Sequence, residues 1–437
     1  MDYIIVGGGI SGLYSAYSLH KKFGINNITI LEKNNKLGGR IETFYVDGTF
    51  LEMGAGGVID NQKNMMELIK DLGLEDKLVN SINDRSFVVA ESVPTLNYTD
   101  ELGNIVPFIY KINNIIPINE TDFYNILHAL TDRLNNMDFY QMALTYNLYM
   151  LIEKFYGFEK ANQLMYQFGY HGDFYEQNAV EALMMFQREF SENAKFYRID
   201  GGMIQIIERL ADFLERKNIK IRLNNKCIDI INNSGKYLCL LENGEKMEAK
   251  NIIFAIPKMD IMKINYFANI MEKLNSVIHK PLIRIYAFFP KINGKNWFEN
   301  INTVLTTRTL MSQIVPIDKE RGILMIYCDT LNAKSWNYFH KKNILKRELM
   351  YNLTKLFSNI IIPEPDQIYM CYHDTGTHIW KPSIDPAEIY KNIIQPIKGE
   401  NIYIVGETYS LNQQWSEGAI QSVKYLIYKL EENNSKY

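Results

Sequence analysis

Tyr3-Ile4-Ile5-Val6-Gly7-Gly8-Gly9-Ile10-Ser11-Gly12-Leu13 is the stretch on which the fold turns. Four apolar residues read as a short strand, and glycines at 7, 9 and 12 follow with the spacing GxGxxG. Leu13, Ala16, Tyr17, Leu19, His20 and Phe23 then recur at helical intervals until Gly24 stops them. A second strand, Ile28-Thr29-Ile30-Leu31, ends in the acid Glu32. Each residue type has a physical reason. Gly7 permits the tight turn, Gly9 lets a pyrophosphate approach the main chain, and Gly12 lets the helix sit close to the strand. The helix N-terminus offers unpaired N–H groups to phosphate, and an acid at the position of Glu32 suits ribose hydroxyls. Strand, glycines, helix, strand and acid in register point to dinucleotide binding, with contacts at Gly7, Gly9, Ile10, Ser11, Gly12, Glu32 and Lys33.

Around this unit, size and composition set bounds. A chain of 437 residues with 47% hydrophobic and 22% charged content buries a large core and divides into more than one domain. A net charge of -3 gives no electrostatic reason to expect nucleic acid or an anionic membrane as partner. No apolar run approaches the ~20 residues of a membrane span, and the first residues lead into a strand rather than a signal peptide, so a cytoplasmic protein is expected. Cys227, Cys239, Cys328 and Cys371 are scattered singly, without CxxC or metal-ligand spacing, and are expected as buried thiols. His373 and His378 stand apart from other ligands, and no metal is expected.

The next segments carry a family resemblance. Glu32-Lys33-Asn34-Asn35-Lys36-Leu37-Gly38-Gly39-Arg40-Ile41, followed by Glu52-Met53-Gly54-Ala55-Gly56-Gly57, resembles the second motif of the flavin monoamine oxidase family. That family includes L-amino acid and polyamine oxidases and is related to protoporphyrinogen oxidase and phytoene desaturase. The resemblance implies FAD contacts at Gly38, Gly39, Arg40, Gly54 and Ala55, with Gly56 and Gly57 beside the isoalloxazine ring. Far along the chain, Asn401-Ile402-Tyr403-Ile404-Val405-Gly406-Glu407 and Trp415-Ser416-Glu417-Gly418-Ala419-Ile420 look like the family's closing motif. There it implies FAD contacts at Gly406, Glu407, Glu417, Gly418 and Ala419. Glu407 would approach the ribityl chain, and a helix N-terminus would face the flavin edge that gains negative charge on reduction. Between these ends, Gly201-Gly202-Met203 begins a helical segment, Ile219–Leu223 is strand-like, and Cys227 falls where relatives contact adenine through the backbone. Tyr237–Leu241 and Lys246–Ala249 read as a hairpin about Asn243-Gly244, and Asn251–Pro257 returns to the flavin sheet.

The fold class implied is α/β: a discontinuous Rossmann-like FAD-binding domain with an α+β substrate-binding domain. The former takes residues 1–80, 200–261 and 396–437. The latter takes a helical part, 81–199, with helices expected at Phe123–Leu134 and Met142–Phe155, and a sheet part, 262–395, with strands at Leu282–Phe289 and Ile323–Cys328.

The chemistry the resemblance implies is oxidation of a small-molecule amine or amino acid to an imine by hydride transfer to flavin N5, with O2 reoxidising the flavin to give H2O2. Amine oxidases commonly carry a lysine on a substrate-domain strand. Here Pro281-Leu282-Ile283-Arg284-Ile285-Tyr286 puts Arg284 there, and another register brings Lys280 near. Arginine keeps the charge but does not release its proton. Whether O2 is the acceptor therefore stays open, as do a desaturase- or mutase-like flavin reaction and a structural or binding role with oxidase activity lost. Trp415 matches one of the two aromatic walls that flank the amine, and the other is either His378 or Trp380. An amino-acid substrate requires a cation for its carboxylate, and Arg85, Arg188 and Arg284 are candidates by type. Where monoamine oxidases attach flavin to a cysteine this chain has Gly376-Thr377, so FAD is expected to be non-covalent. Those enzymes end in a membrane helix, whereas Glu431–Tyr437 is polar, and no membrane anchor is expected. The oligomeric state is open, a dimer being possible.

Overall fold

The computed structural model describes residues 1–81, 122–189, 194–358 and 360–434, together with the backbone of four short strands between 85 and 117. The Arg85 side chain and residues 435–437 lie outside the described residues. The chain forms two compact units: Met1–Ser81 with Glu176–Lys280 and Thr375–Tyr437, and Ile82–Tyr175 with Pro281–Asp374. Residues 176–199, 262–280 and 375–395, expected in the substrate domain, fall in the first unit. Backbone pairing explains part of this. Phe196–Ile199 joins antiparallel to Val58–Ile59 and Leu78–Asn80, and the Asn178 N–H donates to the Trp380 carbonyl (2.9 Å).

The first unit is built on a five-stranded parallel sheet in the order Lys220–Arg222, Ile28–Leu31, Tyr3–Val6, Asn251–Phe254, Ile402–Ile404. Because side chains alternate along a strand, the four strands other than Lys220–Arg222 feed two cores. Ile5, Ile30, Ile253 and Tyr403 join Leu13 and Leu19 of helix Ile10–Phe23, Leu210 of helix Ile204–Arg216 and Ile420 of helix Ser416–Asn434. On the opposite face Ile4, Val6, Phe254 and Ile404 meet Cys227, Tyr237, Cys239 and Leu241. Those four belong to the antiparallel strands Cys227–Asn233 and Lys236–Leu241; Lys236–Leu241 and Lys246–Ala249 form the hairpin expected, and Cys227–Asn233 adds a third strand to it. Gly12 shows why its type is fixed: a Cβ there would collide with the Gly7 carbonyl oxygen, so helix and strand could not approach.

In the second unit, a mixed seven-stranded sheet has Ile323–Asp329 antiparallel to both its neighbours, Val277–Phe288 and Gln313–Asp318. Ile283, Ile285, Leu324, Ile326 and Ile314 on one face pack with Trp336, Leu349 and Leu353 of the helices Thr330–Lys341 and Leu345–Leu356. The helix expected over Met142–Phe155 is instead two, Met137–Thr145 and Leu148–Tyr156. The cause is local: Tyr146 is extended, and the Asn147 side chain accepts from the Met150 N–H (2.8 Å), starting a new helix.

Candidate active site

The glycine turn of the first unit offers bare main chain. A Cβ built on Gly9 or Gly39 meets nothing closer than 3.7 Å, while Gly38 donates its N–H to the Gly8 carbonyl (3.0 Å) and binds the two loops together. Helix Ile10–Phe23 begins at Gly9 with no side-chain cap and no acid in its first turn. Glu32, buried, accepts from the Gly8 N–H (2.8 Å) and from the N–H and Nδ2 of Asn34 (2.9 and 2.8 Å). A carboxylate has about four acceptor positions, so one remains for a hydroxyl. The Lys33 ammonium is held by Asp260 (2.6 Å).

Arg40 and Glu407, 367 residues apart in sequence, form the centre of the site. Glu407 Oε2 accepts from Arg40 (2.7 Å) and from His378 Nδ1 (2.9 Å), and its Oε1 accepts from the backbone N–H of His378 (2.8 Å) and Gln414 (2.9 Å). All four acceptor positions are thus filled, and Arg40 also donates to the Gly376 carbonyl (3.1 Å). Burial opposes ionisation of Glu407, but Arg40 and His378 outweigh it and hold the carboxyl well below the usual range. Burial in turn pushes the His378 imidazole below its ordinary value, against the pull of Glu407. With the charge of Glu407 answered by Arg40, a neutral His378 donates Nδ1–H, a tautomer assigned from the network. Its Nε2 and the Thr377 hydroxyl are buried without a hydrogen-bond partner. Unpaired buried polar atoms cost roughly 1–3 kcal/mol each and call for a ligand group or water.

Other segments close around this brace. Ala55 donates its N–H to the Arg40 carbonyl (2.9 Å), and Gly54 lies directly on that carbonyl. Gly56 is half-buried beside Gly57, which is packed on the Tyr197 backbone. Gly406 donates to Ser422 Oγ (2.8 Å). Glu417 caps another helix, Lys63–Asp71, accepting from Asn64 Nδ2 (2.6 Å) and the Met65 N–H (2.8 Å). Gly418 packs against the Asn412 carbonyl, and Ala419 is buried in the helical core. The side chains of Glu407 and Glu417 therefore organise the protein around the site.

The aromatic candidates separate. Trp415 is half-buried beside Phe196, ring centroids 6.3 Å apart, and Phe196 is a neighbour that no sequence motif marked. Trp380, in contrast, is 0% exposed in the core with Tyr409, its Nε1 bonded to the Ser410 carbonyl (3.1 Å). Of the two alternatives for the second wall, Trp380 is thus the one with no exposed face. His378 is locked edge-on to Glu407. Cys227, 7% exposed, lies against Cys239 Sγ at 2.9 Å, so two cysteines that look solitary in sequence meet in space. Lys280 is 1% exposed. In the second unit, Arg284 donates to the Tyr286 hydroxyl (3.3 Å) and lies 4.7 Å over the Tyr327 ring, against which Tyr170 packs edge-on. Arg188 is half-buried on helix Ala179–Glu189. Among the described residues, no group of three or more His, Cys, Asp or Glu is placed to hold a metal ion, and no helix is long and apolar enough to cross a membrane.

Bare glycine main chain, an uncapped helix start, a carboxylate with one acceptor position left and two unpaired buried polar atoms suit a large ligand bearing phosphate, hydroxyl and N–H groups. The chain belongs to the family of flavin-containing amine oxidoreductases, whose profile matches residues 10–423. Coproporphyrinogen III oxidase of Bacillus subtilis (strain 168) is 37% identical over 90 residues, which is 20% of this chain and about a fifth of that enzyme (19%). An uncharacterized protein of Acanthamoeba polyphaga mimivirus is 22% identical over 98% of this chain and 93% of its own length. The crystal structure of wild-type putrescine oxidase bound to putrescine matches 99% of both chains with a TM-score of 0.71 at 15% identity, which shows a shared fold.

Proposed function

We propose that the first unit binds FAD non-covalently and that the protein oxidises an amine or amino acid to the imine, with O2 as final acceptor. The observation that carries this reading is the convergence of bare Gly9–Gly39 main chain with the Arg40–Glu407–His378 brace and its unpaired Nε2. The family match and the putrescine oxidase fold support an amine as substrate. Bound flavin supplies a two-electron acceptor for the C–H bond next to nitrogen and passes the electrons to O2, yielding H2O2.

The protein's own residues bind, orient and exclude water. The N–H groups of Ile10, Ser11 and Gly12 receive the diphosphate and Glu32 the ribose, while Gly38, Gly39, Arg40 and Gly54–Gly57 border the cofactor. Arg40 and Glu407 hold four backbone segments in register, so the site needs little reorganisation on binding. The N-terminus of helix Ser416–Asn434 favours negative charge at the ring edge. Trp415 and Phe196 form an apolar wall that draws a cationic amine and keeps out water. The residue after Gly376 is Thr377, and the four cysteines lie at other positions, which supports dissociable FAD. The second unit then serves substrate binding, with Arg284 as its candidate cation.

A second reading, dehydrogenation of a substrate other than an amine, is favoured by Arg284 itself. Stacked on Tyr327, it keeps its proton and cannot act as a base. Visible absorbance of the purified protein under anaerobic conditions, read before and after adding primary amines, polyamines and L-amino acids, tests both. Bleaching by one class, with peroxide on admitting air, is the expected result. A yellow protein bleached by none of them refutes the amine reading, and a colourless one without FAD affinity refutes the cofactor.

A further inference from the structure

We propose that Cys227 and Cys239 are a modification site, a thiol pair that hydroperoxide converts into a disulfide. The ladder between Cys227–Asn233 and Lys236–Leu241 sets the geometry. Ile230 pairs with Cys239, and an unbroken register would turn Cys227 to the other face of the sheet. A one-residue shift between Cys227 and Asp229 instead pairs Cys227 with Leu241, on the face of Cys239. The sulfurs come to 2.9 Å, with the Cys239 thiol directed at Cys227 and the Cys227 thiol at the Asp229 carbonyl (3.5 Å). The bulge therefore has a chemical result.

The two thiols differ in access. Cys227 is 7% exposed and Cys239 is 0% exposed, so a small oxidant from solvent meets Cys227 first. The neighbouring Cys227 sulfur and burial push the Cys239 thiol up, so Cys239 is slow to attack peroxide itself. The remaining two cysteines lie in other settings. Cys328 donates to the Leu310 and Met311 carbonyls in the core of the second unit, and Cys371 lies 3.4 Å from His373 Nε2.

The reaction balances in two steps. The Cys227 sulfur attacks the peroxide O–O bond, which breaks to leave a sulfenic acid and one water. The Cys239 sulfur then attacks the Cys227 sulfur, the S–OH bond breaks, and the hydroxyl leaves as a second water. Both thiol protons end in water, and two electrons pass from sulfur to peroxide. The pair lies near the candidate nucleotide site: just before Cys227, Asn225 donates its N–H to the Glu32 carbonyl (2.8 Å) and Asn224 to the Asn34 carbonyl (2.9 Å). The proposal stands apart from the oxidase reading, because reagent peroxide tests it whatever the substrate.

The experiment treats the native full chain with stoichiometric hydrogen peroxide, without added thiol, and reads intact and peptide masses. The expected result is a loss of two hydrogen atoms, a peptide joining Cys227 to Cys239, and reversal by dithiothreitol. In Cys239→Ser, the expected product is a sulfenic acid at Cys227, trapped by dimedone. If both thiols of the native chain remain open to alkylation after unfolding, or if the only link formed involves Cys328 or Cys371, the proposal is overturned.

Discussion

Glu407→Gln tests the brace by keeping its shape and removing its charge. Oε1 can still accept from the His378 and Gln414 backbone, but the new amide group faces the Arg40 guanidinium and His378 Nδ1–H, donor against donor. His378 can relieve its contact by changing tautomer, whereas Arg40 has no neutral form to adopt. Removing one partner of a buried pair costs about 3–5 kcal/mol, and because the Arg40 side chain is 31% exposed we expect about 2–3 kcal/mol here. The assay is urea unfolding of cofactor-free protein for Glu407→Gln, Arg40→Met and the double variant, which isolates the coupling. The sign with pH follows from the lowered folded value. The carboxylate contributes fully above its ordinary value of 4.5, and the contribution disappears as pH falls below it. The gap between wild type and Glu407→Gln should therefore be constant near neutrality and shrink in acid. A loss under about 0.5 kcal/mol, or a coupling near zero, would refute the view that this carboxylate joins the segments.

Glu181 gives the opposite pH trend. Burial raises its carboxyl from 4.5 to about 7, so its contribution is intact below 4.5 and is lost as pH rises from there through 7. Glu181→Gln should gain about 1–3 kcal/mol at alkaline pH and almost nothing at about pH 4, below the ordinary value of 4.5, by denaturant titration at both; equal effects would exclude this origin. Trp380→Phe and Trp415→Phe should separate core from site. The first loses the bond to Ser410 and about 1–2 kcal/mol of stability with KM unchanged, and the second raises KM for an amine with stability nearly unchanged. The reverse pattern in steady-state kinetics and thermal melts would exchange their roles.

The nucleotide turn was legible because its determinants are local. Gly7, Gly9 and Gly12 act within one strand and one helical turn, and the backbone demands there leave few substitutes. The brace was only partly so. Glu407 and Arg40 were visible through their motifs, but their meeting depends on a separation of 367 residues that no periodicity encodes. Trp380 and Trp415 look equivalent as letters, and only the folded chain shows that one ends a strand in the core and the other precedes a helix, half-buried. Phe196 carried no motif, and Asn147 broke a helical pattern because a single side chain competed for the backbone.

The parallel sheet of the first unit also fixes an order of events during synthesis. Tyr3–Val6 pairs with Asn251–Phe254, and that strand pairs with Ile402–Ile404. At about 5–20 residues per second, roughly 20–80 s pass between emergence of the glycine turn and of the last strand. Throughout that interval an apolar strand has one edge unpaired, and the Arg40 guanidinium waits for its carboxylate. Closure of the sheet therefore waits on Ile402–Ile404, and an apolar strand edge stays open on the nascent chain until its partner emerges.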